Sequence, residues 1–121
     1  MSLPIPGTQV RGSKTGKPIM ALFDLLGRTW CLGIIWQLSL DNATFRQLQA
    51  RCEDISPTLL NTRLKELFQL DLVQKTPLGY GLTPHGKALA LLIRPMAPWA
   101  RQWADNIQRL KDNSPEDDSH A

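Results

Sequence analysis

The apolar residues Ile19, Leu22, Phe23, Leu25 and Leu26 recur at helical spacing, which predicts a first helix opening at Pro18. Proline suits a first turn, where the N–H it lacks has no helical partner. Gly27 punctuates, and a second helix is predicted from about Thr29 to Leu40, with Thr29 as N-cap. Its Trp30, Cys31, Leu32, Ile34, Ile35, Trp36 and Leu38 are apolar nearly all round, as in a helix at the centre of a core. Asp41-Asn42 turns the chain, and Thr44 caps a short third helix beginning Phe45-Arg46-Gln47-Leu48. Ser56-Pro57 is the strongest local signal, a serine N-cap followed by proline at the first helical position, and a fourth helix runs from it to about Leu70. Leu72–Lys75 and Tyr80–Leu82 are predicted strands around a Pro77-Leu78-Gly79 turn. Thr83-Pro84 starts a last helical region reaching about Lys111, which Pro95 and Pro98 must kink or split.

Three helices, the last two joined by a tight connection, followed by a hairpin, make the plan of a winged helix-turn-helix. The fold class is therefore mainly α with a small β-hairpin, with N- and C-terminal helices left over for dimerisation. Residues 1–17, rich in proline and glycine, are expected to form a flexible basic arm, 18–112 the domain, and 113–121 an acidic disordered tail.

Charge sharpens this picture. The net charge is +3, but the arm carries Arg11, Lys14 and Lys17, while Asp112, Glu116, Asp117 and Asp118 sit at the other end. The part between remains basic, which is compatible with a polyanionic partner and does not establish one. No apolar stretch is long enough to span a membrane, and no signal-peptide pattern opens the chain. With two isolated cysteines, Cys31 and Cys52, a reducing cytoplasm is expected. Two histidines, His85 and His120, and no Cys/His cluster leave no expected metal site, and no cofactor is implied. No nucleophile triad, phosphate loop or carboxylate pair suggests catalysis.

Projected at about 100° per residue, the fourth helix has two faces. Leu60, Leu64, Leu67 and Phe68 fall on one side; Thr58, Asn61, Thr62, Lys65 and Gln69 fall on the other. The second face holds short donors and acceptors, one cation and no acid, the chemistry a major groove reads. Ser56 and Pro57 would stand near the phosphate backbone at the helix N-terminus. Arg46 on the third helix and Lys75 in the hairpin are further backbone or minor-groove candidates, and Arg28 between the first two helices is a weaker phosphate candidate. An ordinary amphipathic helix with a solvated face, and a solvated hairpin turn, would show the same patterns. Arg63, at the edge of the apolar arc, is expected to pair with an acid, and Glu66 to face away from phosphate and support the fold.

In the last helical region, Leu89, Leu92, Met96, Trp99, Trp103 and Leu110 form a heptad-like seam broken only by Asn106. The excess apolar surface fits a second copy, with Leu92, Met96, Trp99 and Trp103 meeting Ile19, Leu22 and Phe23. A monomeric core closed by the two tryptophans is the other possibility. A two-fold dimer would present two reading helices about 34 Å apart to a palindromic site.

Several pieces combine into a specific pattern: Leu25-Leu26-Gly27 with Trp30, Thr44-Phe45-Arg46-Gln47-Leu48, and Ile55 through Leu67 with its Ile-Ser-Pro opening and Arg-Leu-x-Glu-Leu run. Leu72-Val73, Tyr80-Gly81-Leu82-Thr83-Pro84-His85-Gly86 and Trp99 complete it. Over about residues 17–104 the chain resembles the HxlR-type winged helix regulators, relatives of the MarR-like group. The resemblance implies dimers that bind operator DNA with the helix after Ser56 in the major groove, joined through their first and last helices. It also implies a response to reactive or stress-related small molecules. Many such proteins carry a cysteine just before the proline of the first helix; Lys17 stands there in this chain.

The expected function is thus sequence-specific DNA binding, with repression as the outcome and a small-molecule effector as a further partner. A winged helix serving only protein interaction or dimerisation is the alternative. A ligand pocket walled by Trp30, Trp36 and Trp99 is a further expectation from composition. A redox role for Cys52 is an additional hypothesis, since Arg51 favours its thiolate while Glu53 and Asp54 oppose it.

Overall fold

A computed structural model describes residues 3–113. The elements are α1 (Pro18–Leu26), α2 (Cys31–Leu40), α3 (Phe45–Arg51), α4 (Pro57–Gln69), β1 (Val73–Thr76), β2 (Gly79–Leu82), α5 (Pro84–Ile93) and α6 (Met96–Asp112). The chain divides into two compact units, Met1–Ala90 and Leu91–Ala121, with α5 running from the first into the second. The fold is mainly helical with one two-stranded antiparallel hairpin, paired in the register Val73 with Leu82 and Thr76 with Gly79.

The core of the first unit gathers around α2. Cys31, Ile34, Ile35 and Leu38 are buried there, joined by Leu48 of α3, by Leu60, Leu64 and Leu67 of α4, and by Val73 and Leu82 of the hairpin. Side-chain caps open three of the six described helices. Thr44 accepts from the Gln47 N–H at 3.2 Å while the Gln47 side chain accepts from the Thr44 N–H at 2.9 Å, a reciprocal capping box. Ser56 Oγ accepts from the Leu59 N–H at 3.1 Å, with Pro57 in the first turn. Thr83 Oγ1 accepts from the Gly86 N–H at 3.0 Å and donates to the Asp71 carbonyl at 2.6 Å.

α2 starts differently from the sequence expectation. Its N-cap is Trp30, in the left-handed region at φ 68°, and no side chain caps it. The carbonyl of Thr29, the expected cap, instead accepts from Arg63 Nε at 2.7 Å. A long-range contact has overridden a local preference.

The two prolines of the last region also act differently. Pro95, which has no donor to give, separates α5 from α6. Pro98 is the third residue of α6, where a helix needs no N–H, so it stays inside the helix.

The helix-turn-helix connection between α3 and α4 carries two consecutive left-handed residues, Glu53 and Asp54, both at φ 57°. Gln49 Nε2 bridges this turn to the Ile55 carbonyl at 3.0 Å. The hairpin is fastened to the α2–α3 connection: Tyr80 N–H donates to the Ala43 carbonyl at 2.7 Å and Ala43 N–H to the Tyr80 carbonyl at 3.0 Å. This close approach needs glycine at position 79, whose φ is 118° and where any Cβ would lie 2.3 Å from the Ala43 carbonyl oxygen.

The segment before α1 is folded back on itself: Gly7 N–H donates to the Gly16 carbonyl at 3.0 Å, and Val10 and Ser13 exchange backbone bonds. Of the expected acidic tail, residues 114–121 lie outside the described residues. Among the described helices, no single one is long and apolar enough to cross a membrane.

Candidate nucleic-acid interface

α4 presents two chemically distinct faces, as its sequence requires. Leu60, Leu64 and Leu67 are buried, while Ser56, Pro57, Thr58, Asn61, Thr62 and Lys65 are all exposed. Thr62 Oγ1 donates to the Thr58 carbonyl at 3.0 Å, so its hydroxyl proton is used within the helix. The first turn has no acidic residue, so no side-chain charge within it opposes the positive end of the helix dipole.

Arg46, one residue into α3, is exposed beside the capping box. Lys75, on β1, is held over the Tyr80 ring at 5.1 Å, a cation–π contact. Tyr80 in turn meets Phe68 of α4 edge-on, with ring centroids 6.0 Å apart. Lys75 is thereby tied toward α4, and the exposed hairpin loop is the apolar pair Pro77-Leu78. The sequence reading missed Tyr80 and Phe68 as supports of Lys75; the cross-strand register, which sets Lys75 opposite Tyr80, was the available signal.

Arg28 is not a surface cation. Only 6% of it is exposed, and it pairs with Asp24 at 3.6 Å and with Glu66. It is therefore excluded from phosphate contact as placed. Arg63 pairs with Glu66 at 3.0 Å, and Glu66 thus holds two guanidinium groups away from the exposed polar face of α4. Arg11 of the N-terminal segment pairs with Asp24 at 3.3 Å.

Both cysteines are buried. Burial pushes the Cys31 thiol up to about 12 from 9.0, and burial with the Glu53 charge raises that of Cys52. Neither is a ready thiolate near neutral pH. His85 lies on the surface, 3.8 Å from the equally exposed Asp71.

An apolar cleft of about 290 Å3 is lined by Pro4, Pro6, Leu22, Leu25, Leu72 and Leu89 among others, with His85 as its one ionisable residue. None of the tryptophans expected as pocket walls lines it.

The apolar residues expected at a dimer interface are largely uncovered. Ile19 and Phe23 of α1 are exposed, and Leu22 is half-buried. On the second unit, Leu92, Met96, Trp99 and Trp103 are exposed, and α6 has no buried residue. Trp99 and Trp103 stack on each other with centroids 5.7 Å apart.

A capped helix with a polar face, a preceding helix at a tight turn and a two-stranded hairpin define a winged helix-turn-helix domain. The chain belongs to the HxlR-like helix-turn-helix family, which it matches over residues 25–108. It is 34% identical over 89 residues to the uncharacterized HTH-type transcriptional regulator YvaP of Bacillus subtilis strain 168, covering 68% of this chain and 82% of that protein. It is 34% identical over 91 residues to the HTH-type transcriptional regulator YodB of the same strain, covering 69% of this chain and 80% of YodB. The crystal structure of quinone-bound YodB from B. subtilis matches with a TM-score of 0.63 at 34% identity, over 69% of this chain and 96% of that one. The protein is thus a transcriptional regulator with a helix-turn-helix DNA-binding domain.

Proposed function

We propose that the protein is a cytoplasmic homodimeric repressor that reads a palindromic operator, with α4 of each copy in a major groove. The observation that carries this reading is the split of α4: its apolar residues are consumed by the core, and Thr58, Asn61, Thr62 and Lys65 stand together in solvent. Asn61 can pair in two-pronged fashion with adenine, Lys65 can reach guanine or phosphate, and the Thr62 methyl suits a thymine methyl. Ser56, Pro57 and Arg46 flank the backbone, and Lys75 adds a phosphate contact from the hairpin. Dimerisation through Ile19, Leu22, Phe23, Leu92, Met96, Trp99 and Trp103 would cover the apolar side chains that a single copy leaves in water. Repression follows where such a dimer occludes a promoter, and an apolar effector would find room in the cleft beside Pro18 and Leu22. Nothing in this function calls for turnover of a substrate.

The test is selection of genomic fragments by the purified protein at about 0.15 M salt, where non-specific phosphate binding is weakened. Recovery of one palindromic motif, lost in Asn61→Ala/Lys65→Ala, is the expected result. Binding without a motif, or retention of the motif by the double variant, would remove α4 as the reader. No binding, with a stable dimer, would favour a protein-interaction module.

A further inference from the structure

The charged side chains inside the first unit join into one chain that leads from the N-terminal segment to the recognition helix. Arg11 meets Asp24 of α1 through its guanidinium at 3.3 Å and through its own N–H at 3.3 Å. Asp24 meets Arg28, Arg28 meets Glu66 of α4, and Glu66 meets Arg63 one turn earlier. Arg63 closes the path by donating Nε to the Thr29 carbonyl at 2.7 Å, in the turn that ends in left-handed Trp30. The middle of the chain is sealed: the side chains of Asp24 and Arg28 are 2% and 4% exposed.

Stability alone does not account for such an arrangement. Removing two charges from water costs about what their attraction returns, and apolar replacements of similar volume are often neutral or stabilising. What guanidinium–carboxylate pairs add is direction, because the planar fork fixes where its partner sits. Here the chain borders a polar cleft of about 370 Å3 lined by Arg11, Arg28, Thr62, Arg63 and Glu66. Along this cleft, α4 is joined to α1 and the turn after it by ion pairs. The two elements so joined are α4, which carries the reading face, and α1, which carries exposed Ile19 and Phe23.

We propose that Arg28 and Glu66 are positioning residues for DNA reading: with Asp24 they set the pose of α4 relative to α1, and so the spacing between the two half-sites a dimer accepts. This rests on the dimeric operator-binding reading above. It assigns the ion chain to spacing selectivity, leaving base recognition to α4's solvent face.

The experiment uses the full chain and a set of DNA duplexes bearing two copies of the selected half-site at graded separations. Wild type is compared with Arg28→Met/Glu66→Leu, which removes both charges together, and with Asp24→Asn as an isosteric second variant should the first not fold. Ile35→Val, a core change outside the chain of charges, controls for lost stability. The expected result is a half-site motif unchanged in both network variants, with the preference for the best spacing over the next reduced about tenfold, a difference of about 1.4 kcal/mol in selectivity. Arg28→Lys, which keeps charge but loses the fork, should fall between. A spacing profile that superimposes on wild type, or one that flattens equally in Ile35→Val, overturns the proposal while leaving DNA reading intact. Failure of wild type to bind any paired site overturns the underlying reading and this proposal with it.

Discussion

α4 and α6, of 13 and 17 residues, are the two longest helices, and they treat their apolar faces in opposite ways. α4 sinks Leu60, Leu64 and Leu67 into the first unit and keeps a polar face in solvent. α6 buries nothing, and leaves Trp99 62% and Trp103 55% exposed. Fully burying a large apolar side chain stabilises by roughly 1.5–3 kcal/mol, so the dimer proposed above would draw its association free energy largely from the apolar side chains α6 leaves exposed. Amphipathicity in a sequence states that a face will be covered; it does not state by which chain.

The largest effect that would break this contrast is on assembly. Trp99→Ala/Trp103→Ala should weaken self-association by about 4 kcal/mol, near a thousandfold, if both act as anchors. Sedimentation equilibrium checks it, and an unaltered dimer would return the tryptophans to a role within one chain. Leu67→Ala, on the buried face of α4, should cost about 3 kcal/mol of folding stability by urea titration. That variant should leave the association of the folded protein in place.

The sealed thiol of α2 gives a pH test. Cys31 is raised from 9.0 to about 12, so its contribution is fully present below pH 9.0 and is lost as pH climbs toward 12. Stability should fall by about 1.4 kcal/mol per pH unit in that window from this group. Urea midpoints on either side of pH 9.0, compared with Cys31→Ala, check it; an identical slope in the variant would assign the loss elsewhere.

Smaller effects probe how α4 is launched. Ser56→Ala removes the acceptor for the Leu59 N–H and should cost about 1 kcal/mol. Glu53→Gly relieves a left-handed backbone and should stabilise by about 0.5 kcal/mol, the unfolded-state entropy of glycine offsetting part of the gain. Thermal melts resolve both, and a destabilised Glu53→Gly would show that the Glu53 side chain matters more than its backbone.

What could be read from sequence was what is decided locally. Ser56-Pro57, Thr44 with Gln47, and Thr83-Pro84 announce their helices because cap and first turn lie within four residues of each other. The faces of α4 followed from its period, and so did the placing of Arg63 and Glu66 off its exposed polar face. The start of α2 was misread because the Thr29 carbonyl is claimed by Arg63, 34 residues away. Arg28 was taken for a phosphate candidate although Asp24, four residues before it, offered a local partner; the second acid that holds it, Glu66, is 38 residues distant. Pro95 and Pro98 look alike in sequence, and only knowing where α6 begins separates a breaker from a tolerated first-turn residue.

The stacked indoles of α6 also make the protein its own optical reporter. Two rings 5.7 Å apart and inclined by 22° form a coupled chromophore whose near-ultraviolet dichroism reads the state of that helix. Lying in solvent, they are expected to emit at longer wavelength than half-buried Trp30 and Trp36, and a surface that covers them should move their emission to the blue. Assembly can therefore be followed at low concentration without attaching a dye, at the part of the chain where the proposed association takes place.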